Sequence, residues 1–116
     1  MTFDYFYGTR ADQYSFIRVP KLLITGKEFS SLTIQAKMLY GLLLDRMGMS
    51  IKNKWLDQEN RVYVIYPIKE IQQDMNITKK KAMEILSELE EKGLVEKQIR
   101  GYGMPSLIYI KQFTAA

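Results

Sequence analysis

The feature that most constrains the fold is a helical pattern over residues 79–92 with clear signals at both ends. Thr78 before the pattern is a good N-cap residue, and Gly93 after it stands where helices favour a left-handed glycine. Leu94 is placed to pack back on Leu89, as in a Schellman ending. The apolar residues recur at the spacing of one helix face; they are Ala82, Ile85, Leu86 and Leu89. The segment therefore predicts a helix with one buried face.

A shorter helix is predicted just before it, over about residues 67–75. Pro67 suits the first turn of a helix. The short apolar stripe of this helix consists of Ile68, Ile71 and Met75. Asn76 and Ile77 then make a tight connection to Thr78. Two helices joined by such a short turn form a helix-turn-helix, in which the second helix usually enters the major groove of duplex DNA.

Residues 33–47 predict the first helix, which we expect to be central to the core. Thr33 is a good N-cap and Gly48 suits the C-terminal end. Apolar residues at three- and four-residue spacing form a wide stripe; they are Ala36, Leu39, Tyr40, Leu43, Leu44 and Met47. Such a stripe is typical of a helix that packs against more than one neighbour.

The remaining segments predict a small antiparallel sheet. Residues 54–66 resemble a hairpin, because the turn-rich stretch ending at Asn60 precedes a β-branched and aromatic run. The predicted strands are residues 61–66, 95–100 and 107–113. A glycine-containing turn at 101–105 separates the last two. The order helix, strand, helix, turn, helix, hairpin predicts an α+β fold, a winged helix-turn-helix with a small antiparallel sheet.

Composition limits the chemistry available to the chain. Its 116 residues, 47% of them apolar, suit one domain with a real core. The sequence contains neither cysteine nor histidine, which excludes disulfides, thiolate or histidine zinc sites, and Ser-His-Asp or Cys-His catalysis. No Gly-rich phosphate loop occurs and the carboxylates are scattered, so we expect no enzyme, no cofactor and no metal site. The net charge of +4 is compatible with an anionic partner without requiring one.

The N-terminal residues lack the basic region and long apolar stretch of a signal peptide. The densest apolar run, residues 38–44, is far shorter than the roughly 20 residues of a membrane span. We therefore expect a cytoplasmic protein with no membrane partner.

Three consecutive lysines, Lys79, Lys80 and Lys81, open the longer helix. The first turn of a helix has free backbone N–H groups and a partial positive charge. Three ammonium groups there cost some helix stability but make a concentrated positive site for phosphates and guanine edges. A solvated charged face is the ordinary alternative. The position directly after a short turn favours DNA contact, so we predict Thr78 and the three lysines as DNA-binding residues.

On a helical wheel, the face opposite the core carries Lys80, Glu84, Ser87 and Glu91. We expect Lys80 to point most directly into a groove, with Lys79 and Lys81 beside it for backbone contacts. Glu84 has two interpretations. It could accept a hydrogen bond from a cytosine amino group, or form an i, i+4 ion pair with Lys80, which we favour. Ser87 completes the predicted DNA-binding face, whereas the acidic end at 88–91 is expected to be held away from DNA.

The turn between the last two strands supplies a second candidate contact. All the charge over residues 97–111 is positive, and glycines on both sides of Tyr102 let the backbone approach phosphates. We predict Lys97, Arg100 and Tyr102 as DNA-binding residues. Arg100 is the favoured anchor because its guanidinium can hold a phosphate bidentately or enter a minor groove. The alternatives are an ordinary hairpin turn and an ion pair between Arg100 and Glu96.

Residues 1–19 are rich in aromatic residues without helical periodicity, and we interpret them as an extended arm before a winged-helix domain over 20–116. Aromatic side chains bury on the order of 150–250 Å² each, so this many rings should pack either on their own domain or on a second copy. We favour a homodimer, which would place two winged helices on neighbouring DNA sites. The predicted dimer contacts are Tyr5, Phe6, Tyr7, Tyr14 and Phe16.

Five stretches of the chain resemble the N-terminal domain of the replication initiator A family of plasmids from Gram-positive bacteria. They are YSFIRVPKLL (14–23), AKMLYGLLLDRM (36–47), NRVYVIY (60–66), KKAMEILSELEEKGL (80–94) and LIYIK (107–111). The second stretch is quite specific, whereas the helix-turn-helix part is generic among winged helices. The resemblance covers nearly the whole chain.

The resemblance implies a winged-helix domain that binds tandem repeats of double-stranded DNA at a plasmid origin and starts replication. Family members continue into a linker and a C-terminal domain, through which host replication proteins would be reached. This chain stops soon after Phe113, so we expect it to be a fragment. Two other functions stay open, which are a transcriptional or partition regulator on the same domain and a winged helix used only for protein interaction.

Overall fold

The computed structural model describes residues 2–8, 14–50 and 52–113. Its helices are α1 (Lys21–Thr25), α2 (Ile34–Met47), α3 (Ile68–Met75) and α4 (Lys79–Lys92), with a 3-10 turn at Lys27–Phe29. Its strands are β1 (Val64–Ile65), β2 (Val95–Gln98) and β3 (Leu107–Ile110). The predicted α+β order is confirmed, and the three strands form one antiparallel sheet in the order β1-β3-β2.

The core lies between α2, α4 and the sheet. Thr33 begins α2 as predicted, because its side-chain oxygen accepts a hydrogen bond from the Ala36 backbone N–H at 3.2 Å. All four apolar residues predicted for the inner face of α4 are buried. The core of the described residues further contains Leu23, Phe29, Leu32, Ala36, Leu39, Tyr40, Leu43, Val64, Tyr66, Ile71, Leu94, Val95 and Ile108. These side chains fix which face of α4 points to solvent.

The connection between α3 and α4 has the predicted helix-turn-helix form. Asn76 ends α3 in the left-handed conformation, with φ 55° and ψ 50°, which asparagine tolerates better than most residues. Thr78 begins α4 by accepting the Lys81 backbone N–H at 3.1 Å. At the far end, Gly93 has φ 84° and the Leu94 N–H donates to the Leu89 carbonyl at 2.9 Å. Both predicted ends of α4 are confirmed.

The two wing strands are shorter than predicted. Strand β2 ends at Gln98 rather than at residue 100, and β3 ends at Ile110 rather than at residue 113. The chain turns early at the tip, where the Met104 N–H donates to the Gly101 carbonyl at 3.1 Å. Beyond β3, the Phe113 ring packs on Phe29 with centroids 4.8 Å apart, so the end of the segment joins the core rather than the sheet.

The predicted hairpin over 54–66 is confirmed in part. The chain folds back with an isolated antiparallel bridge between Leu56 and Val62, and the Asp57 N–H donates to the Arg61 carbonyl at 3.1 Å. The predicted strand over 61–66 is too long, because it shrinks to β1, which pairs with β3. Asn60 has φ 67°, as the turn prediction required. The Asp57 carboxylate takes the Arg61 backbone N–H, which leaves that group unavailable for strand pairing.

Helix α1 was not predicted, because a five-residue helix is too short to show an apolar period. Only Leu23 is buried in it, and no side chain caps its start at Pro20. Within the predicted arm, residues 2–8 and 14–19 contain neither helix nor strand. Residues 1 and 9–13 of the predicted arm, and residues 51 and 114–116 of the predicted domain, lie outside the described part of the chain.

Candidate nucleic-acid interface

The first turn of α4 presents its lysines unequally. Lys79 and Lys80 are exposed, and among the described residues neither has an ion-pair partner. The Lys81 ammonium lies 3.9 Å from the Glu84 carboxylate, so Lys81 is turned along the helix. The predicted ion pair of Glu84 with Lys80 was therefore wrong in its partner. Lys79 and Lys80 are the free positive charges next to the backbone N–H groups of the helix start.

The outward face of α4 lines an open concave surface of about 750 Å³. Its lining residues are Lys79, Lys80, Met83, Glu84, Ser87, Glu88 and Glu91. The sequence analysis placed most of these on one face but passed over Met83, which is 50% exposed. Its spacing of four residues from both Lys79 and Ser87 was the signal that could have found it.

The acidic half of α4 is tied to other elements. The two carboxylate oxygens of Glu88 accept hydrogen bonds from the Thr33 backbone N–H at 2.8 Å and from the Thr33 hydroxyl at 2.9 Å. This places a negative charge at the N-terminus of α2, where the helix dipole favours it. Glu90 lies 3.8 Å from the Lys97 ammonium on β2. These contacts join α4 to α2 and to the wing.

The wing places Tyr102 in solvent and Arg100 against its own backbone. The Tyr102 side chain is fully exposed. The Arg100 Nε–H donates to the Pro105 carbonyl at 2.8 Å, across the turn. The considered ion pair of Arg100 with Glu96 was wrong, because the Glu96 carboxylate lies 3.4 Å from Lys111 instead. Of the three predicted wing contacts, Tyr102 is the one placed most openly at the tip.

The first helix of the helix-turn-helix is clamped to α2 by Arg46. The Arg46 guanidinium lies 3.9 Å from the centre of the Tyr66 ring and donates to the Ile65 carbonyl at 3.1 Å and to Glu70 at 3.4 Å. Burial and the hydrogen bond that the Tyr66 hydroxyl donates to Asp74 raise the pKa of Tyr66 well above its ordinary value. Arg46 lies outside the apolar stripe predicted for this helix, so its contact with β1 and α3 was not predicted from the sequence.

A second polar cluster holds the loop before β1. Loss of solvent acts to raise the pKa of Asp57, but hydrogen bonds from Arg61, Glu59 and Tyr109 outweigh it and lower that pKa to about 2. Burial and the same contact with Asp57 raise the pKa of Tyr109. The Asp57 carboxylate thus holds the turn before β1 and joins it to Tyr109 on β3.

The aromatic residues predicted as dimer contacts lie outside the core. Tyr5, Phe6, Tyr7, Tyr14 and Phe16 are between 57% and 82% exposed. The Phe6 and Tyr14 ring centroids are 5.9 Å apart, those of Tyr14 and Phe16 are 6.3 Å apart, and each pair is nearly perpendicular. The structure brings these three rings together and leaves each more than half exposed, and Phe16 lines an open surface with Leu44 at the end of α2.

Over residues 2–8, 14–50 and 52–113, no group of three or more acidic side chains is arranged to hold a metal ion. In the same part of the chain, no helix has the length and apolar content needed to cross a bilayer.

Comparison of the whole chain with known proteins identifies its family. The family profile described as replication initiator protein A (RepA) N-terminus matches residues 15–116. The chain belongs to this family. The family resemblance of the RepA N-terminus that was noted in the sequence is therefore confirmed.

This RepA N-terminus also resembles one curated protein and several solved structures. A "41 kDa protein" of Lactobacillus helveticus is 30% identical over 111 residues, which are 90% of this chain and 31% of that protein. The chain thus spans about a third of the length of that relative.

Three solved structures, each 29% identical in sequence, share the fold. One is described as "N-Terminal domain of DNA binding protein"; it has a TM-score of 0.79 and covers 99% of this chain and 88% of that one. Another is "Structure of Rep-DNA complex", with a TM-score of 0.79 and coverage of 97% and 87%. A third is "Structure of MDR initiator", with a TM-score of 0.76 and coverage of 97% and 89%.

Proposed function

We propose that this chain is a non-enzymatic, double-stranded DNA-binding domain of a plasmid replication initiator, acting in the cytoplasm at tandem repeats of the origin. The observation that carries the proposal is the exposed lysine end of α4. Lys79 and Lys80 project from the second helix of a helix-turn-helix, next to the free N–H groups of its first turn. That combination is suited to a polyanion with a groove wide enough for a helix.

The proposed docking places α4 in the major groove. Lys79, Lys80 and the backbone at Thr78 hold phosphates and guanine edges at the helix start, while Lys81 contributes less because Glu84 already neutralises it. Ser87 lies further along the same outward face, within reach of base edges. The acidic end of α4 is then kept from the phosphates.

The wing is the second proposed contact. Tyr102 reaches the sugar-phosphate backbone from the tip of the turn, Arg100 holds the tip in shape, and Lys97 lies back along β2 beside Glu90. Two contacts on one rigid domain fix the angle at which it sits on the duplex. A solved structure that is 29% identical to this chain is described as "Structure of Rep-DNA complex", which supports DNA binding as the function.

We further propose that the aromatic arm joins two copies of the domain. Rings that are more than half exposed gain free energy by burial against a second copy. Deleting residues 1–13 should then turn a dimer into a monomer in light scattering and lower the affinity for a two-site duplex. A complete domain that stays monomeric at high concentration, both free and on DNA, would contradict the dimer. We also propose that the full-length protein has a separate C-terminal domain, and that this domain contacts host replication proteins.

The decisive experiment is a footprint of the domain on the DNA of its own replicon at several salt concentrations. An initiator domain protects repeats in the origin, and its affinity falls steeply as salt is raised. Protection of a promoter instead would indicate a regulator. The absence of any salt-sensitive protection would indicate a winged helix used for protein contacts and would overturn the proposal.

A further inference from the structure

The outward face of α4 contains an apolar side chain among charged ones. Met83 is 50% exposed, although the residue before it, Ala82, is completely buried. It lies one helical turn after Lys79 and one turn before Ser87, and all three line the same concave surface. An exposed methionine is common on protein surfaces, but this one is central to the face proposed to meet DNA.

The charges around Met83 favour a nucleic acid as the occupant of this face. Lys79 and Lys80, which have no ion-pair partner within the described part of the chain, provide two positive charges at one end of the surface. The carboxylates nearest to Met83 are engaged within the protein, since Glu84 pairs with Lys81 and Glu88 accepts two hydrogen bonds from Thr33. The carboxylates of this surface lie further along α4, whereas its positive charge is concentrated at the helix start beside the free backbone N–H groups, so a duplex whose phosphates are held at the lysine end is the occupant that this arrangement favours.

The chemistry of the major groove supplies a partner for a thioether. Thymine is the one standard base that displays an apolar substituent there, the C5-methyl group. Methionine is unbranched, flexible and polarizable, so its side chain adapts to such a group. Ser87, one turn further along, is small enough to let the helix approach the bases closely.

We propose that Met83 is a specificity-determining residue that packs on the C5-methyl group of a thymine in the bound site. This inference rests on the proposed binding of duplex DNA by α4, and it specifies the base that the middle of this helix recognises. Lys79 and Lys80 provide affinity for any duplex, whereas Met83 makes the affinity depend on sequence at one or two base pairs.

The test removes single methyl groups from the DNA. A duplex selected from a random pool by the wild-type domain is resynthesised with uracil in place of thymine, one position at a time. Wild-type binding should weaken about fourfold at one or two positions, the factor expected for one buried methyl group. Met83→Ala should bind the original duplex about as weakly as the wild type binds the uracil duplex, and should no longer respond to uracil there.

Met83→Leu is the matched control, because it retains an apolar side chain of similar volume and should keep the sensitivity to uracil. Circular dichroism checks that each variant keeps its fold. The inference is overturned if the wild type is insensitive to every uracil substitution, or if Met83→Ala responds to uracil as the wild type does. In either case, salt-dependent binding of the selected duplex would leave the proposed DNA-binding function intact. If the wild-type domain selects no duplex at all, both the inference about Met83 and the proposed DNA-binding function are overturned.

Discussion

Arg100 and Tyr102 have different roles in the wing, although both were expected to touch DNA. The Arg100 Nε–H donates a hydrogen bond to the Pro105 carbonyl, and this bond stabilises the turn. Tyr102 is fully exposed at the tip of that turn. We therefore propose that Tyr102 makes the direct contact with DNA and that Arg100 acts mainly by holding the turn in shape.

Two substitutions separate these roles. Tyr102→Ala should lower DNA affinity by about 1 kcal/mol, a factor of about five, without changing the melting temperature, since the side chain is fully exposed. Arg100→Lys keeps the charge but not the Nε–H, so it should shrink the footprint under the wing and lower stability by about 0.5–1.5 kcal/mol. Hydroxyl-radical footprinting and thermal unfolding measure both. An Arg100→Lys variant with an unaltered footprint would show that charge, and not the hydrogen bond to Pro105, matters.

Asp57 makes the stability of the domain depend on acid pH. Its pKa is about 2 in the folded protein and about 3.9 in an unfolded chain. A carboxyl with a lowered folded pKa stabilises the fold above the unfolded value, and this contribution is lost as the pH falls from about 4 towards 2.

Asp57→Asn should therefore be less stable than the wild type at pH 7, and the two stabilities should converge as the pH is lowered through this window. Urea unfolding at several pH values measures the difference. Glu59→Gln is a matched control, because Glu59 is 74% exposed and makes only the longer contact to Arg61, at 3.6 Å. A stability gap that stays constant down to pH 2 would mean that Asp57 does not titrate as described.

Among the elements, α4 was the most predictable, whereas β1 and α1 were the least. Local groups determine both ends of α4, because the Thr78 hydroxyl and the left-handed Gly93 act on residues three to five positions away. The length of β1 depends instead on Pro67, on the Asp57 side chain and on pairing with β3, more than forty residues later. Helix α1 carried no detectable pattern because one buried residue, Leu23, defines no period.

The arm and the core meet where the chain crosses α2 at Gly41. A Cβ atom on Gly41 would lie 2.8 Å from Val19 Cγ2 and 3.3 Å from the Arg18 carbonyl. A glycine inside a helix lowers stability by roughly 0.5–1 kcal/mol relative to alanine, so we expect a specific contact at this position that a larger residue would prevent. Here the contact is the close approach of residues 17–19 to the helix backbone.

Gly41→Ala should lower the melting temperature, because an overpacked site costs about 1–3 kcal/mol while the gain in helix propensity is about 1 kcal/mol at most. Combining it with Val19→Ala should relieve the nearest clash, so the double variant should be more stable than the sum of the single effects implies. Thermal unfolding of the wild type, the two single variants and the double variant measures this coupling. Strictly additive effects would rule out the contact as the reason for the glycine.

At the scale of the whole molecule, charge is distributed so that one end of α4 is free and the other is engaged. Periodicity predicted the outward face of α4, because the core residues determine it. Periodicity could not predict the ion pair of Glu84 with Lys81, because that contact depends on side-chain conformation. Nor could it predict the hydrogen bonds between Glu88 and Thr33, because they depend on how a neighbouring helix packs. Near the other end of α4, the Lys92 ammonium lies 5.8 Å from the Phe29 ring, two residues beyond Lys27.

The most direct test of the central claim is the salt dependence of duplex binding for two matched variants. Replacing Lys79 and Lys80 by alanine should weaken binding and flatten the slope of log K against log salt by about 1.8, since each lost phosphate contact contributes about 0.9. Replacing Lys27 and Lys92 removes the same charge from the opposite end of α4 and should leave the slope nearly unchanged. Equal affinities and equal slopes for the two variants would contradict the placement of α4 at the DNA.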